Sequence, residues 1–135
     1  MTSMGLRITI VTPETTTLDA EVDGVTVPMF DGAAGILPGH APMIGRLGPG
    51  ELKTTAGSTV DRFYVDGGFV QIEEDSISVL TGKSIPVNEI DLSAAKTALE
   101  EAEKMEAGNG ELAAIRLKAI NQAKAQIRLV ENKGA

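Results

Sequence analysis

The chain is 135 residues long, room for one domain or for one small domain with an appended element. Hydrophobic residues make up 42% and charged residues 23%, a globular composition rather than a disordered one. With no cysteine, one histidine and a net charge of −7, the sequence excludes disulfides, thiolate metal sites and two-imidazole sites, and opposes attraction to nucleic acid or anionic lipid.

No apolar run approaches the ~18 residues that a spanning helix needs. Met1 to Arg7 show neither a basic start followed by an apolar stretch nor an Arg-rich leader, so the chain is expected to stay where it is made. Charge is unevenly spread. Residues 1–110 hold 7 basic and 17 acidic groups, whereas residues 111–135 hold 5 basic and 2 acidic ones. All 6 prolines lie between Pro13 and Pro86, and alanine becomes frequent after Ala94.

In the first half, Leu6, Ile8 and Ile10 share one face, the period-two pattern of a half-buried strand that Pro13 ends. Short strands are expected at Leu18–Ala20 and Gly24–Pro28, with Asp23-Gly24 as a tight turn. Phe30 to Pro42, rich in glycine and proline, reads as a loop. Further strands are expected at Met43-Ile44, Glu51–Thr55, Val60–Val65, Phe69–Ile72 and Ser76–Leu80, with Gly67-Gly68 as a turn. No helix-length segment separates them, which favours a sandwich or barrel over βαβ units.

The second half changes period. Asp91 is suited to cap a helix, and Leu92, Ala95, Leu99 and Ala102 step by three and four. Gly108-Asn109-Gly110 is read as a left-handed stop and reversal. Leu112, Ile115, Ala119, Ala123, Ile127 and Val130 form a second stripe with a mean period of 3.6. Two antiparallel helices are therefore expected, with thin alanine faces that bury little area. The division expected is a sandwich over residues 1–86 and a helical hairpin over residues 87–135.

Few residues point to chemistry. His40 would need a hydroxyl and an orienting carboxylate, and Ser58, Ser76 and Asp31 are available only on paper, since no motif places them. No Asp/Glu spacing matches a calcium loop or a zinc pair. Gly67-Gly68 lacks the patterns of a phosphate cradle and leads into a strand. Phe30, Phe63, Tyr64 and Phe69 are too scattered for base stacking. Arg116, Lys118, Lys124, Arg128 and Lys133 suit either a solvated helix face or an acidic partner. The residues alone describe a non-enzymatic binding or adaptor protein.

Gly35-Ile36-Leu37-Pro38-Gly39-His40-Ala41-Pro42 is more specific. It resembles a hallmark loop of the epsilon subunits of rotary F-type ATP synthases. Val65-Asp66-Gly67-Gly68-Phe69-Val70-Gln71-Ile72, Val79-Leu80-Thr81 and Ala125 to Glu131 are similar to further stretches of that family, in the same order. The resemblance runs from Leu6 to Glu131. It implies a ten-stranded β-sandwich followed by two antiparallel helices.

The resemblance also implies a non-catalytic part of the central rotor stalk, peripheral on the cytoplasmic face of a bacterial plasma membrane. Its partners would be the gamma subunit and the c-ring, with the catalytic hexamer reached through the C-terminal helices. The membrane would be touched only through the ring. Asp31, Gly32, Ala33, Ala34, Gly35, Ile36, Leu37, Pro38, Gly39, His40, Ala41 and Pro42 would form the ring or gamma contact. Arg116, Lys118, Lys124 and Arg128 would belong to a helix that brakes ATP hydrolysis.

Many members of the family carry an arginine in the first helix that is associated with ATP binding. Here Ile90 and Asp91 keep that motif's start, but Ala94 replaces the arginine, and Lys124 and Arg128 make a poorer phosphate site. No cofactor and no metal are expected, and ATP is expected to bind weakly if at all. Two rivals are a free-standing nucleotide-binding regulator and a lipoyl-type carrier domain. The latter needs a lysine on a hairpin tip, whereas Lys53 falls in a strand segment.

Overall fold

Alternating and β-branched residues become eight strands in the computed structural model, which describes residues 5–131. Residues 1–4, where the leader reading begins, and Lys133 of the basic tail lie outside the described residues. The strands are β1 (Leu6–Val11), β2 (Thr16–Val22), β3 (Gly24–Met29), β4 (Gly32–Ile36), β5 (Met43–Ala56), β6 (Thr59–Glu73), β7 (Ser76–Leu80) and β8 (Ser84–Pro86). They form one hydrogen-bonded sheet in the order β2-β1-β7-β6-β5-β3-β4, with β8 also pairing with β6. The β1–β7 pair is parallel and the others are antiparallel.

The sheet is folded over on itself. Leu6, Ile8 and Ile10 of β1, Val25 and Val27 of β3, Leu52 of β5 and Ile77 and Val79 of β7 belong to one buried cluster, which a flat sheet would keep apart. Strands β2 and β5, not neighbours in the ladder, touch across it. Burying each such side chain is worth about 1.5–3 kcal/mol, so this cluster is the main source of cohesion in the unit.

The fold lies within β5 and β6. Their pairing runs without a slip from Met43↔Ile72 to Ala56↔Thr59. Along β5 the inward positions are Leu47 and then Gly50, Leu52 and Thr54, an odd-to-even switch. Along β6 they are Phe63 and Val65 and then Val70 and Ile72, the matching switch. Both switches flank Gly48-Pro49-Gly50 and Gly67-Gly68, where the glycines, lacking side chains, let the paired strands bend together. Gly67 and Gly68 have φ of +81° and +112°.

This bend corrects the strand count. The ten strands implied by the resemblance are eight, because Met43-Ile44 with Glu51–Thr55, and Val60–Val65 with Phe69–Ile72, are two continuous strands rather than four. Gly67-Gly68 is accordingly a bend inside β6 and not a turn. Two further readings change. Gly32–Ile36, taken as loop, is the edge strand β4, paired with β3 from Met29↔Gly32 to Val25↔Ile36. Asp23-Gly24 closes no hairpin, since β2 pairs with β1 while β3 pairs with β4 and β5; Asp23 instead accepts the Gly57 amide at 2.6 Å.

Contacts divide the chain into two units between Pro86 and Val87. The second holds a short 3₁₀ turn (Val87–Glu89) and the helices α1 (Leu92–Glu103) and α2 (Gly110–Glu131). Asp91 caps α1, its carboxylate accepting the Ala94 amide at 3.0 Å. The helix ends at Lys104 in right-handed geometry, and Gly108 and Gly110 are not left-handed, so the expected left-handed stop is absent. Asn109 acts as a cap instead, accepting the Leu112 amide at 2.9 Å.

The helices are antiparallel: the turn before α1 packs on α2, and the Arg116 guanidinium reaches the Glu103 carbonyl at the end of α1 at 3.2 Å. With α1 ending beside Arg116, the first turns of α2 have no helix next to them. Leu112 and Ile115 of the expected stripe are therefore exposed, while Ile120, Ala123, Ala125 and Leu129 are buried.

Candidate partner-binding site

Outward positions of a solvated sheet should be polar. Ser76 and Ser78 of β7 obey this, but Leu80, next on the same face, does not. Its cross-strand partners extend the exception. Leu80 pairs with Phe69 of β6, Phe69 with Arg46 of β5, and Leu80 on its other side with Val11 of β1. Phe30, in the β3–β4 turn, places its ring 4.4 Å from the Arg46 guanidinium carbon, a cation–π contact. Ile44 stands two residues from Arg46 on the same face of β5. Phe30, Ile44, Phe69 and Leu80 are each more than half exposed.

The result is an apolar row across four strands with one cation in it. Two shallow hollows flank the row. One, of about 340 Å³, is lined by Val11, Thr12, Pro13, Leu80, Thr81 and Gly82. The other, of about 400 Å³, is lined by Pro42, Met43, Ile44, Gln71, Ile72 and Glu73. A contiguous apolar face of this kind marks a protein contact rather than a solvated surface.

The structure divides the predicted contact segment into three parts. Asp31 lies in the turn that carries Phe30, beside the apolar row. Gly32, Ala33, Ala34, Gly35 and Ile36 are the edge strand β4; Ala33 and Gly35 are exposed, Ala34 packs on the core and Ile36 is buried in it. Leu37, Pro38, Gly39, His40, Ala41 and Pro42 join β4 to β5, mostly exposed.

That last stretch is held in shape. The Gly39 amide donates to Asp75 Oδ1 at 2.7 Å, and the His40 amide donates to the Leu37 carbonyl at 3.1 Å. His40 Nδ1 lies 2.7 Å from the Ala41 carbonyl oxygen. A carbonyl only accepts, so Nδ1 carries the proton and donates. The ring's bond thus goes to backbone and not to a carboxylate or hydroxyl, which does not assemble a nucleophile and base.

In the hairpin, Arg116 is engaged with the end of α1, where a cation suits the carbonyl dipoles. Lys118, Lys124 and Arg128 make no ion pair among the described residues. Asp91 spends its carboxylate on the α1 cap, beside Ile90. No cluster of three His, Asp or Glu side chains suited to a metal exists among the described residues. None of the described helices is long and apolar enough to cross a membrane.

Sequence reasoning missed Ile44, Arg46, Leu80 and Asp75 as contributors. The parity of Leu80 against Ser76 and Ser78 was the available signal for the apolar face; Asp75 had none, because its partner lies 36 residues away.

Comparison with known proteins agrees with this architecture. Residues 5–87 match the family described as ATP synthase, Delta/Epsilon chain, beta-sandwich domain. An ATP synthase epsilon chain of Rhodopirellula baltica is 47% identical over 125 residues, covering 93% of this chain and 98% of that one. One from Leptospira interrogans is 40% identical over 105 residues, covering 78% and 83%. Among solved structures, a chain of the Euglena gracilis mitochondrial ATP synthase (OSCP/F1/c-ring) superposes with a TM-score of 0.72 at 25% identity, covering 95% of this chain and 78% of that chain. A chain of the Tetrahymena thermophila mitochondrial ATP synthase central stalk and c-ring gives 0.63 at 18% identity, covering 96% and 99%, and supports the fold. A two-layer sheet that bends at glycines, the family model matched over residues 5–87, and 47% identity to an epsilon chain over 93% of this chain together place it in the ATP synthase epsilon family.

Proposed function

We propose that the chain is a non-catalytic rotor-stalk subunit of a proton-translocating F-type ATP synthase, with the sandwich joining the gamma subunit to the c-ring. The observation that carries this reading is the apolar row of Phe30, Phe69, Leu80 and Val11 on an otherwise solvated sheet face. A permanent subunit contact needs such a face, and gamma is its natural occupant. The stiff segment from Asp31 to Pro42 suits the ring, because a fixed loop loses little entropy on binding. The chain would lie peripherally on the cytoplasmic face of a bacterial plasma membrane, reaching it through the ring. ATP chemistry would belong to other subunits.

The hairpin is read as the regulatory part. Lys118, Lys124 and Arg128 are available to meet acidic segments of the catalytic hexamer, while Arg116 keeps the two helices together. Ile90, Asp91 and Arg128 are read as a weak ATP contact at most, since the Asp91 carboxylate is already occupied and Ala94 supplies no guanidinium.

Ala33 gives the test. Its side chain is exposed on an edge strand, so Ala33→Arg places bulk and charge outside the core. A misplaced charge in an interface costs on the order of a few kcal/mol. Proton-driven ATP synthesis by the assembled complex is expected to fall, with the melting temperature of the isolated chain unchanged. Undiminished synthesis would count against the ring contact.

A further inference from the structure

The turn between β6 and β7 does more than reverse the chain. Glu74 and Asp75 have φ of +50° and +64°, the non-glycine residues with left-handed backbone among those described. That conformation is disfavoured for residues with a Cβ, and aspartate is among the few side chains that tolerate it. Asp75 is a node there. Its carbonyl accepts the Arg7 amide at 2.9 Å, which fastens the turn to β1. Its carboxylate reaches across to the β4–β5 loop and accepts the Gly39 amide at 2.7 Å.

Gly39 is itself left-handed, at φ +87°. Beside it, the Pro38 ring lies so close to Gly5 that a Cβ on Gly5 would come within 2.6 Å of Pro38 Cγ. The loop is therefore pinned at two successive residues by groups from the start of β1 and the β6–β7 turn. The bond to Gly39 is the polar one of the two, short and charge-assisted. From this pinned pair the chain presents Leu37, two-thirds exposed, and the half-buried His40 ring, whose Nδ1 is held by the Ala41 carbonyl.

We propose that Asp75 is a positioning residue for partner binding: its carboxylate holds Gly39 so that Leu37 and His40 are displayed in the geometry the ring contact needs. This rests on the reading of residues 31–42 as that contact. Asp75 touches no partner in this role and acts through the loop.

Two substitutions isolate the carboxylate. Asp75→Gly keeps the left-handed turn and removes the acceptor; Asp75→Asn keeps both the backbone tolerance and an acceptor oxygen. In the full-length chain, Gly39 amide exchange followed by NMR is expected to quicken roughly tenfold in Asp75→Gly, the scale of one lost hydrogen bond. In Asp75→Asn it should stay near the natural rate. In the assembled complex, proton-driven ATP synthesis should fall with Asp75→Gly and recover with Asp75→Asn. Unchanged Gly39 exchange in Asp75→Gly would overturn the clamp, whatever Ala33→Arg does. Faster exchange with undiminished synthesis would overturn the positioning role. In that event Ala33→Arg separates the failures: if it lowers synthesis, the loop contact stands without Asp75, and if it does not, the contact itself falls.

Discussion

A Cβ built on Gly68 would meet the Leu80 carbonyl oxygen head-on and stand 2.9 Å from Thr81 Cα, on a backbone with φ +112°. Both obstacles are backbone, so no side chain can move aside. Gly68→Ala is therefore expected to destabilise the sandwich by about 2–4 kcal/mol, read as a lower denaturant midpoint. A loss under ~0.5 kcal/mol would mean that β6 bends elsewhere. Single residues were legible in the sequence where their partners are near in the chain. Asp91 as a helix cap needs only the amide three residues on. Gly67-Gly68 was misread as a turn because its reason, the approach of the β7 end, lies more than ten residues away. Asp75 was silent for the same cause.

At the scale of elements, period-two segments found most strands, and period 3.6 found both helices. The errors fall where glycine and proline were taken as breaks. β4 was lost inside a glycine-rich stretch although its backbone pairs fully with β3, and β5 and β6 were each cut at their bends. Pairing satisfies backbone groups whatever the side chains, so small residues do not forbid a strand. The units also differ in how they are held. The sandwich buries Ile, Leu and Val in one cluster, whereas four of the six buried residues of α1 and α2 are alanines, Ala95, Ala102, Ala123 and Ala125. A chain ending at Val87 is accordingly expected to unfold in one cooperative thermal transition. A broad, non-cooperative melt would show that the sandwich depends on the hairpin.

For the whole molecule, the informative feature is the contrast between a net-acidic first 110 residues and a basic remainder. Each exposed ion pair is worth only ~0–1 kcal/mol, so no single cation should decide the hairpin's state. Several together shift a two-state balance by a few kcal/mol, enough to change which state dominates. Deleting residues 88–135 is expected to raise ATP hydrolysis by the assembled enzyme while leaving synthesis largely intact. Replacing Lys118, Lys124 and Arg128 by glutamine together should do so in part, with the difference shrinking as salt is added. Equal hydrolysis with and without the hairpin, at every ionic strength, would leave it without a braking role. Of the candidate site, the loop was legible through its motif. The apolar face was not, because Ile44, Phe69 and Leu80 each look ordinary in a strand and become a surface only once β5, β6 and β7 lie side by side.

The central claim is that this chain couples the ring to the catalytic head. The direct measurement is the rate of ATP synthesis at a fixed proton gradient, in membrane vesicles whose ATP synthase is assembled with or without the chain. Synthesis that collapses without the chain and returns when purified chain is added back is the predicted result. Full, gradient-driven synthesis in its absence would contradict the account.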